Sequence, residues 1–138
     1  MKLVIDTSIL IAALMKDSAV REVLLNPFFE FYVPEHCIEE IERHAGEISE
    51  RSGLGVENVY LLLGVLLASV QVVPAEEILG KMEEAEKIMG KIDAGDVPFV
   101  ALALSFPNDG VWTEDKHFLK QKRVKVWLTR DLLKLIRE

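Results

Sequence analysis

Short apolar runs rich in β-branched residues alternate along the chain with longer stretches in which apolar positions recur every three or four residues. The first pattern predicts buried strands and the second predicts helices. The predicted strands are 3–6, 29–33, 70–73, 111–113 and 124–128. The predicted helices are 8–15, 19–25, 35–48, 56–68, 76–89, 97–105 and 130–137. Alternation of this kind predicts an α/β fold with a mainly parallel sheet of about five strands.

The apolar stretch 58–75 contains no charged residue and approaches the length of a membrane span. It is interrupted by Gly64 and ends in the β-branched run before Pro74. We therefore predict a buried helix followed by a strand, and no membrane segment. Apolar side chains beyond what one core can cover, among them Tyr60, Leu61 and Leu63, would form a homodimer interface.

The chain has 138 residues, of which 50% are hydrophobic and 28% charged. This length and balance predict one globular domain, residues 1–138, with its own core. Cys37 is the single cysteine and has no internal disulfide partner, and no basic-then-apolar signal segment opens the chain. We therefore expect a reducing, cytoplasmic location.

The formal net charge of −7 argues against a nucleic-acid partner, since phosphate binding depends on basic residues. The segment 116–125, however, contains five cations and no acid, and it begins directly after Asp115. Most runs of this kind are solvated surface. Its position beside an acid nominates Lys116, Lys120 and Arg123 as candidates for binding nucleic-acid phosphates.

Two aspartates follow predicted strands at opposite ends of the chain, Asp6 and Asp115. Acids at strand ends lie at the carboxyl edge of a parallel sheet, where α/β domains bind ligands. Helix or turn capping is the alternative role for each. The neighbouring hydroxyl residues Thr7, Ser8 and Thr113 are candidates to support these carboxylates by hydrogen bonding.

Further acids lie between these two ends. Glu39, Glu40 and Glu42 all fall off the apolar stripe of one predicted helix, so periodicity cannot choose among them. Asp93 and Asp96 precede an almost wholly apolar helix, and one of them is a candidate helix cap. Burial of that helix favours Asp96 as a cation ligand. Several carboxylates in one cleft would require hard cations such as Mg²⁺ or Mn²⁺.

Other chemistries find little support in the sequence. His36, His44 and His117 lack the spacing of a zinc site, and we predict no transition-metal ligation by histidine or by Cys37. No nucleophile-elbow motif is present. The pair Gly53 and Gly55 lacks the Lys-Ser/Thr of a phosphate loop and predicts a helix-helix corner.

The four acidic motifs, in their order along the chain, resemble those of the PIN-domain family of metal-dependent nucleases. In size the chain is similar to the compact form of this domain found in toxins of VapBC toxin-antitoxin pairs. The similarity spans nearly the whole chain. The matching elements are a strand ending in Asp6, a helical Glu40 before an aliphatic residue, Asp96 at the start of an alanine-rich helix, and a Thr-x-Asp turn at Asp115. Glu39 competes with Glu40 for its position, and Asp93 with Asp96.

The resemblance implies a three-layer α/β/α fold whose acidic cleft holds one or two Mg²⁺ or Mn²⁺ ions and cleaves single-stranded RNA. Asp6 and Asp96 would coordinate metal directly. Glu40 would coordinate metal or position the attacking water, and Asp115 would serve a second metal. A small antitoxin protein is an implied partner, although the sequence does not distinguish a toxin from an RNA-processing enzyme, or RNA from DNA as the substrate.

Three other functions are alternatives to a nuclease. A signalling receiver would show a paired acid at the end of strand one and a phosphoacceptor aspartate after strand three, where this chain has Val73 and Pro74. A haloacid-dehalogenase-like phosphatase would need a second aspartate two residues after Asp6, where Ser8 stands. A PIN fold that binds RNA or scaffolds without catalysis would be indicated by the loss of an acid, and no acid is obviously lost.

Overall fold

The computed structural model describes all 138 residues and contains five strands and eight α-helices. The strands are β1 Lys2–Ile5, β2 Glu30–Pro34, β3 Val70–Val73, β4 Val111–Trp112 and β5 Val126–Trp127. The helices are α1 Thr7–Leu14, α2 Ser18–Leu24, α3 His36–Arg43, α4 Ala45–Ser52, α5 Val56–Leu67, α6 Met82–Met89, α7 Val97–Ser105 and α8 Thr129–Arg137. Four short 3₁₀ segments lie at Ala75–Glu77, Leu79–Lys81, Ala94–Asp96 and Lys116–Lys120.

The five strands form one sheet in the order β3-β2-β1-β4-β5, and every neighbouring pair is parallel. Leu3 of β1 is paired with Phe31 of β2, and Ile5 is paired with Trp112 of β4. All five strands were predicted from the sequence, with small shifts at their ends. The sheet is wholly parallel, and the α/β prediction is confirmed.

The strand order places helices on both faces of the sheet. The chain moves outward from β1 through β2 to β3 and then returns across the sheet to β4, so right-handed crossovers put the two sets of helices on opposite faces. The three-layer α/β/α arrangement follows. Helix α7 packs against β1, β2 and β4, and five of its nine residues are buried, as its apolar sequence predicts. The direction of progression reverses between β1 and β4, the place where open α/β sheets bind ligands.

The predicted helix 35–48 is wrong as a single element, because the chain bends at His44 between α3 and α4. The His44 N–H contacts both the Glu40 and the Ile41 carbonyl oxygens, which tightens the last turn of α3. The bend lets Ile41 and Ile48 both enter the core. Helix α4 then ends at Gly53 in the left-handed conformation (φ 77°), which confirms the predicted corner.

The predicted helix 76–89 is wrong in its first half, where two 3₁₀ turns precede α6. The apolar spacing of Ile78, Met82, Ala85 and Met89 is helical. Ile78 nevertheless reaches the core from a turn, because its N–H bonds the Ala75 carbonyl three residues back. Spacing alone does not distinguish an α-helical turn from successive 3₁₀ turns.

The uncharged stretch divides into α5 and β3, as predicted. No helix of this chain has the length and apolar character needed to cross a membrane. Leu63 belongs to the core, which corrects its place in the predicted dimer surface. Tyr60, Leu61 and Val65 do lie exposed on one face of α5, Leu61 with 69% of its surface accessible.

Gly110, just before β4, is the glycine whose replacement we expect to cost most. Its φ is +127°, and a Cβ there would clash with the Lys125 carbonyl oxygen. We expect Gly110→Ala to lower the free energy of unfolding by at least about 2 kcal/mol, through backbone strain and displacement of the strand β5 segment. Urea denaturation would measure this.

The matched control is Gly46→Ala in α4, where an added Cβ meets open space. Alanine is the better helix former, so this variant should be unchanged or slightly more stable. Equal stability of the two variants would contradict the prediction.

Candidate metal centre

Asp6 directly follows β1 and lies almost fully buried, with 3% of its surface accessible. Its carboxylate does not cap α1, so the capping role considered from the sequence does not apply to this side chain. Instead, the Ser8 hydroxyl donates to Oδ1 at 2.5 Å and the Thr113 hydroxyl donates to Oδ2 at 2.7 Å. Two of the three predicted supporting hydroxyls, those of Ser8 and Thr113, thus hold this carboxylate.

Burial, with a smaller contribution from the charge of Asp115, raises the pKa of Asp6 to about 6, although the hydrogen bonds from Ser8 and Thr113 lower it. A buried carboxylate is costly to ionise unless donors or cations face it. Asp6 is therefore held in one orientation in a setting that favours a nearby positive charge.

Asp96 ends the 3₁₀ turn before α7, and its Oδ2 atom is buried without a hydrogen-bond partner. Burial, followed by the charges of Asp93, Asp6 and Asp115, raises the pKa of Asp96 to about 8. Buried polar atoms in proteins are nearly always paired, so an orphaned carboxylate oxygen marks a position suited to a ligand. Asp93 plays the capping role, accepting from the Gly95 N–H at 3.0 Å.

Asp115 follows β4 through the Thr-x-Asp turn. Its N–H donates to the Thr113 hydroxyl oxygen at 2.8 Å, and its own Oδ1 accepts from the His117 N–H at 2.9 Å. Thr113 thereby connects Asp115 to Asp6, because its hydroxyl accepts from one and donates to the other. The His117 ring folds back over the site, with Nδ1 3.1 Å from Asp93 Oδ2 and 3.3 Å from Asp115 Oδ1.

Four side chains could together hold a metal ion: Asp93, Asp96, Asp115 and His117, whose ligand atoms all lie within 4.8 Å of one another. Three carboxylates and one imidazole form a donor set that divalent cations accept. The orphaned Asp96 oxygen supports the same fit. Asp6 lies outside this group but close enough for its charge to act on Asp96.

The structure places His117, which was not a predicted ligand, among the side chains that could hold a metal ion. Zinc spacing did not indicate this position, because the 3₁₀ turn Lys116–Lys120 returns the ring to Asp115 two residues earlier. The useful signal was a histidine two residues after a candidate ligand. The structure also brings Asp93 and Asp96 together, so these two acids are not alternatives.

Glu40 is not part of this group of four side chains. The Thr7 hydroxyl donates to Glu40 Oε1 at 2.8 Å, and His36 Nε2 lies 3.5 Å from the same oxygen. Thr7 also contacts Cys37, whose pKa burial raises to about 12, so the thiol is not a nucleophile. Glu39, the competitor of Glu40, lines a separate groove.

The candidate phosphate-binding cations lie at and after the 3₁₀ turn Lys116–Lys120. Lys116 and Lys120 are exposed there. Arg123 forms an ion pair with Glu84, at 2.9 Å between Nη2 and Oε2, so part of its charge is already balanced within the chain. Of the three, Lys116 and Lys120 are the better placed to meet a phosphate.

Removing the Thr113 hydroxyl should loosen Asp6. We expect Thr113→Val to raise the pKa of Asp6 above about 6, because one of the two hydroxyl bonds that favour the charged form disappears. Carbon-13 NMR titration of the carboxyl groups would measure the shift. Thr129→Val is the matched control, since Thr129 is also buried but accepts from the Trp112 indole; an equal shift in both variants would refute the assignment.

The sheet is wholly parallel, and the carboxylates gather near the carboxyl ends of its strands β1 and β4. Together they define an α/β domain with an acidic site able to hold a metal ion. A family model for the PIN domain matches residues 4–136. The chain therefore belongs to the PIN domain family, whose members are generally nucleases. No curated protein matches the chain significantly.

Proposed function

We propose that this chain is a Mg²⁺- or Mn²⁺-dependent endoribonuclease that hydrolyses phosphodiester bonds of single-stranded RNA. The observation that carries the proposal is the group of four ligand atoms within 4.8 Å at the carboxyl edge of a PIN domain sheet. One domain, residues 1–138, would carry the activity. A receiver or a phosphatase is not supported, because the family is a different one.

The acidic residues have distinct proposed tasks. Asp6 and Asp96 are direct ligands, and the two hydroxyls on Asp6 keep its oxygens oriented. Asp115 would hold a second cation, with Asp93 and His117 beside it. Glu40, held by Thr7, coordinates or positions the attacking water. A divalent cation bound there would supply positive charge to the phosphate oxygens and lower the pKa of a water.

The cations that follow Asp115 in the chain would bind the RNA. Lys116 and Lys120 offer ammonium groups to the phosphates on either side of the bond that is cut, and Arg123 would do so after release from Glu84. The overall charge of −7 opposes RNA binding, and this segment supplies a local excess of positive charge. Binding should consequently be weak and sensitive to salt.

The test is cleavage of labelled single-stranded RNA with Mn²⁺ or Mg²⁺, with and without EDTA. The variant is Asp6→Asn, and the matched control is Asp17→Asn. Asp17 caps α2 away from the site, and asparagine caps as well as aspartate. Cleavage that needs metal, survives in the control and disappears in Asp6→Asn supports the proposal.

Inactive wild-type protein, or equal cleavage by wild type and Asp6→Asn, would overturn the nuclease proposal. RNA binding without cleavage would instead favour the non-catalytic PIN-fold module. The same cleavage assay with single-stranded DNA of matching sequence would show whether the enzyme cuts RNA, DNA or both.

Two partners complete the proposal. A small antitoxin protein would inhibit the enzyme in a reducing cytoplasm. This partner is proposed because the chain resembles the toxins of toxin-antitoxin pairs. A second copy of the chain would cover Tyr60, Leu61 and Val65 on α5, where three large apolar side chains are exposed together.

The dimer prediction is tested by light scattering at tens of micromolar. Leu61→Glu should convert a dimer to a monomer, because a charge in a dry interface is costly. Leu25→Glu is the control, since Leu25 is also exposed but lies at the end of α2. A wild-type monomer would refute the prediction.

A further inference from the structure

A cavity of about 210 Å³ lies on the carboxyl edge of the sheet beside the acidic site. Pro34 ends β2 and Ala75 follows β3, so the cavity continues the edge on which Asp6 ends β1. Pro98 lines it two residues after Asp96. We call this cavity the edge groove.

One side chain connects the edge groove to the acidic site. His36 lines the groove, and its Nε2 lies 3.5 Å from Glu40 Oε1. Glu40 in turn accepts from Thr7, the neighbour of Asp6. A strand of RNA whose phosphate lies over the acids would therefore pass the mouth of the groove.

The groove is unsuited to a phosphate and suited to a ring. Its apolar wall contains Ile78, Leu79 and Met82, and Leu79 leaves 66% of its surface exposed. Its polar lining contains Glu35, Glu39 and His36, with no lysine or arginine. A phosphate would meet two carboxylates there, whereas an uncharged ring with N–H donors would meet both apolar contact and acceptors.

The two carboxylates differ in what they can offer. Glu35 Oε1 already accepts from the Ala75 N–H at 2.7 Å, which fixes the turn after β3. Glu39 is exposed and takes part in no ion pair of the chain. Glu39 is thus the acceptor available to a ligand.

We propose that the edge groove binds a guanine base of the RNA strand next to the cleaved bond, and that Glu39 determines this specificity. A carboxylate accepts two parallel N–H donors, and guanine presents such a pair at N1 and at its exocyclic amino group. Adenine and cytosine present one amino group beside a ring acceptor, and uracil flanks its N–H with carbonyl oxygens. This inference rests on the proposed nuclease function for the position of the strand.

The experiment compares three single-stranded RNAs of otherwise identical sequence, which carry one guanine, one inosine or one adenine. Inosine keeps the ring N–H and lacks the amino group. Wild-type protein with Mn²⁺ should cleave at a constant offset from guanine about tenfold faster than from inosine or adenine. Glu39→Gln should lose this preference, because the amide replaces one carboxylate acceptor with an N–H donor that would face the guanine amino group.

Glu42→Gln is the matched control, an exposed acid on the same helix α3 outside the groove. It should keep the guanine preference. Metal-dependent cleavage without base preference, or a preference unchanged in Glu39→Gln, would overturn the groove proposal and leave the nuclease proposal standing.

A second measurement separates the two proposals if no RNA is cut. Guanosine at millimolar concentration should shift the NMR methyl signals of Ile78, Leu79 and Met82 in the wild-type protein. Inosine should cause smaller shifts. Guanosine should not shift these signals in Glu39→Gln. Such shifts without cleavage would support the groove and refute the nuclease. The absence of both cleavage and shifts would overturn both.

Discussion

Replacing Asp96 with asparagine should abolish metal-dependent cleavage and at the same time stabilise the metal-free protein. The buried Oδ2 atom has no partner within the chain, and Asp93, Asp6 and Asp115 surround the carboxylate with like charge. Asparagine keeps the shape and removes one charge from this group. Loss of a residue that only supports a metal ligand lowers activity by up to about 100-fold, and loss of a ligand itself should cost at least as much. We therefore expect the cleavage rate to fall by about 100-fold or more.

The stabilisation is measured separately from activity. In EDTA at pH 8, the melting temperature of Asp96→Asn should exceed that of wild type, because the wild-type carboxyl group is then losing its proton among other carboxylates. Added Mn²⁺ should raise the wild-type melting temperature and leave the variant nearly unchanged. Asp17→Asn, with its cap preserved, should follow wild type in both conditions. Undiminished cleavage by Asp96→Asn would remove Asp96 from the metal site.

The second large effect is a loss of metal-free stability as the pH rises. Burial is the largest cause that raises the pKa of Asp6 to about 6 and that of Asp96 to about 8, each from an ordinary value of 3.8. The folded state therefore holds protons that the unfolded state has already released. Stability from these protons is fully present below the ordinary value and is lost as the pH rises through about 6 and about 8.

A divalent cation should reverse this loss. Binding to the folded state alone adds about 2.7 kcal/mol when the free metal is 100 times its dissociation constant. Calorimetric melting across this pH range, in EDTA and in Mn²⁺, would show two curves that diverge as the pH increases. Asp96→Asn should remove the upper part of the fall and leave the part due to Asp6. Curves that stay parallel would contradict the presence of a cation site among these acids.

Local sequence patterns were sufficient for most elements of this fold. Five apolar runs became five parallel strands, and the almost continuous apolar sequence of α7 predicted its burial between the sheet and α6. These predictions succeeded because burial of a strand or helix depends on the residues within it. They failed at His44 and before Met82, where the same apolar spacing fits an α-helix and a tighter turn alike.

The candidate site was less accessible to such patterns. That Asp6 and Asp115 lie at strand ends is a local property, and the sequence by itself determined it. Only the tertiary structure, through the sheet order that sets β1 beside β4, decided that the Thr113 hydroxyl reaches Asp6 across 107 residues of chain. The same packing brought His117 to Asp93 and turned Glu39 to a groove and Glu40 to Thr7. Distances between side chains far apart in sequence depend on how whole elements pack, and no local pattern contains them.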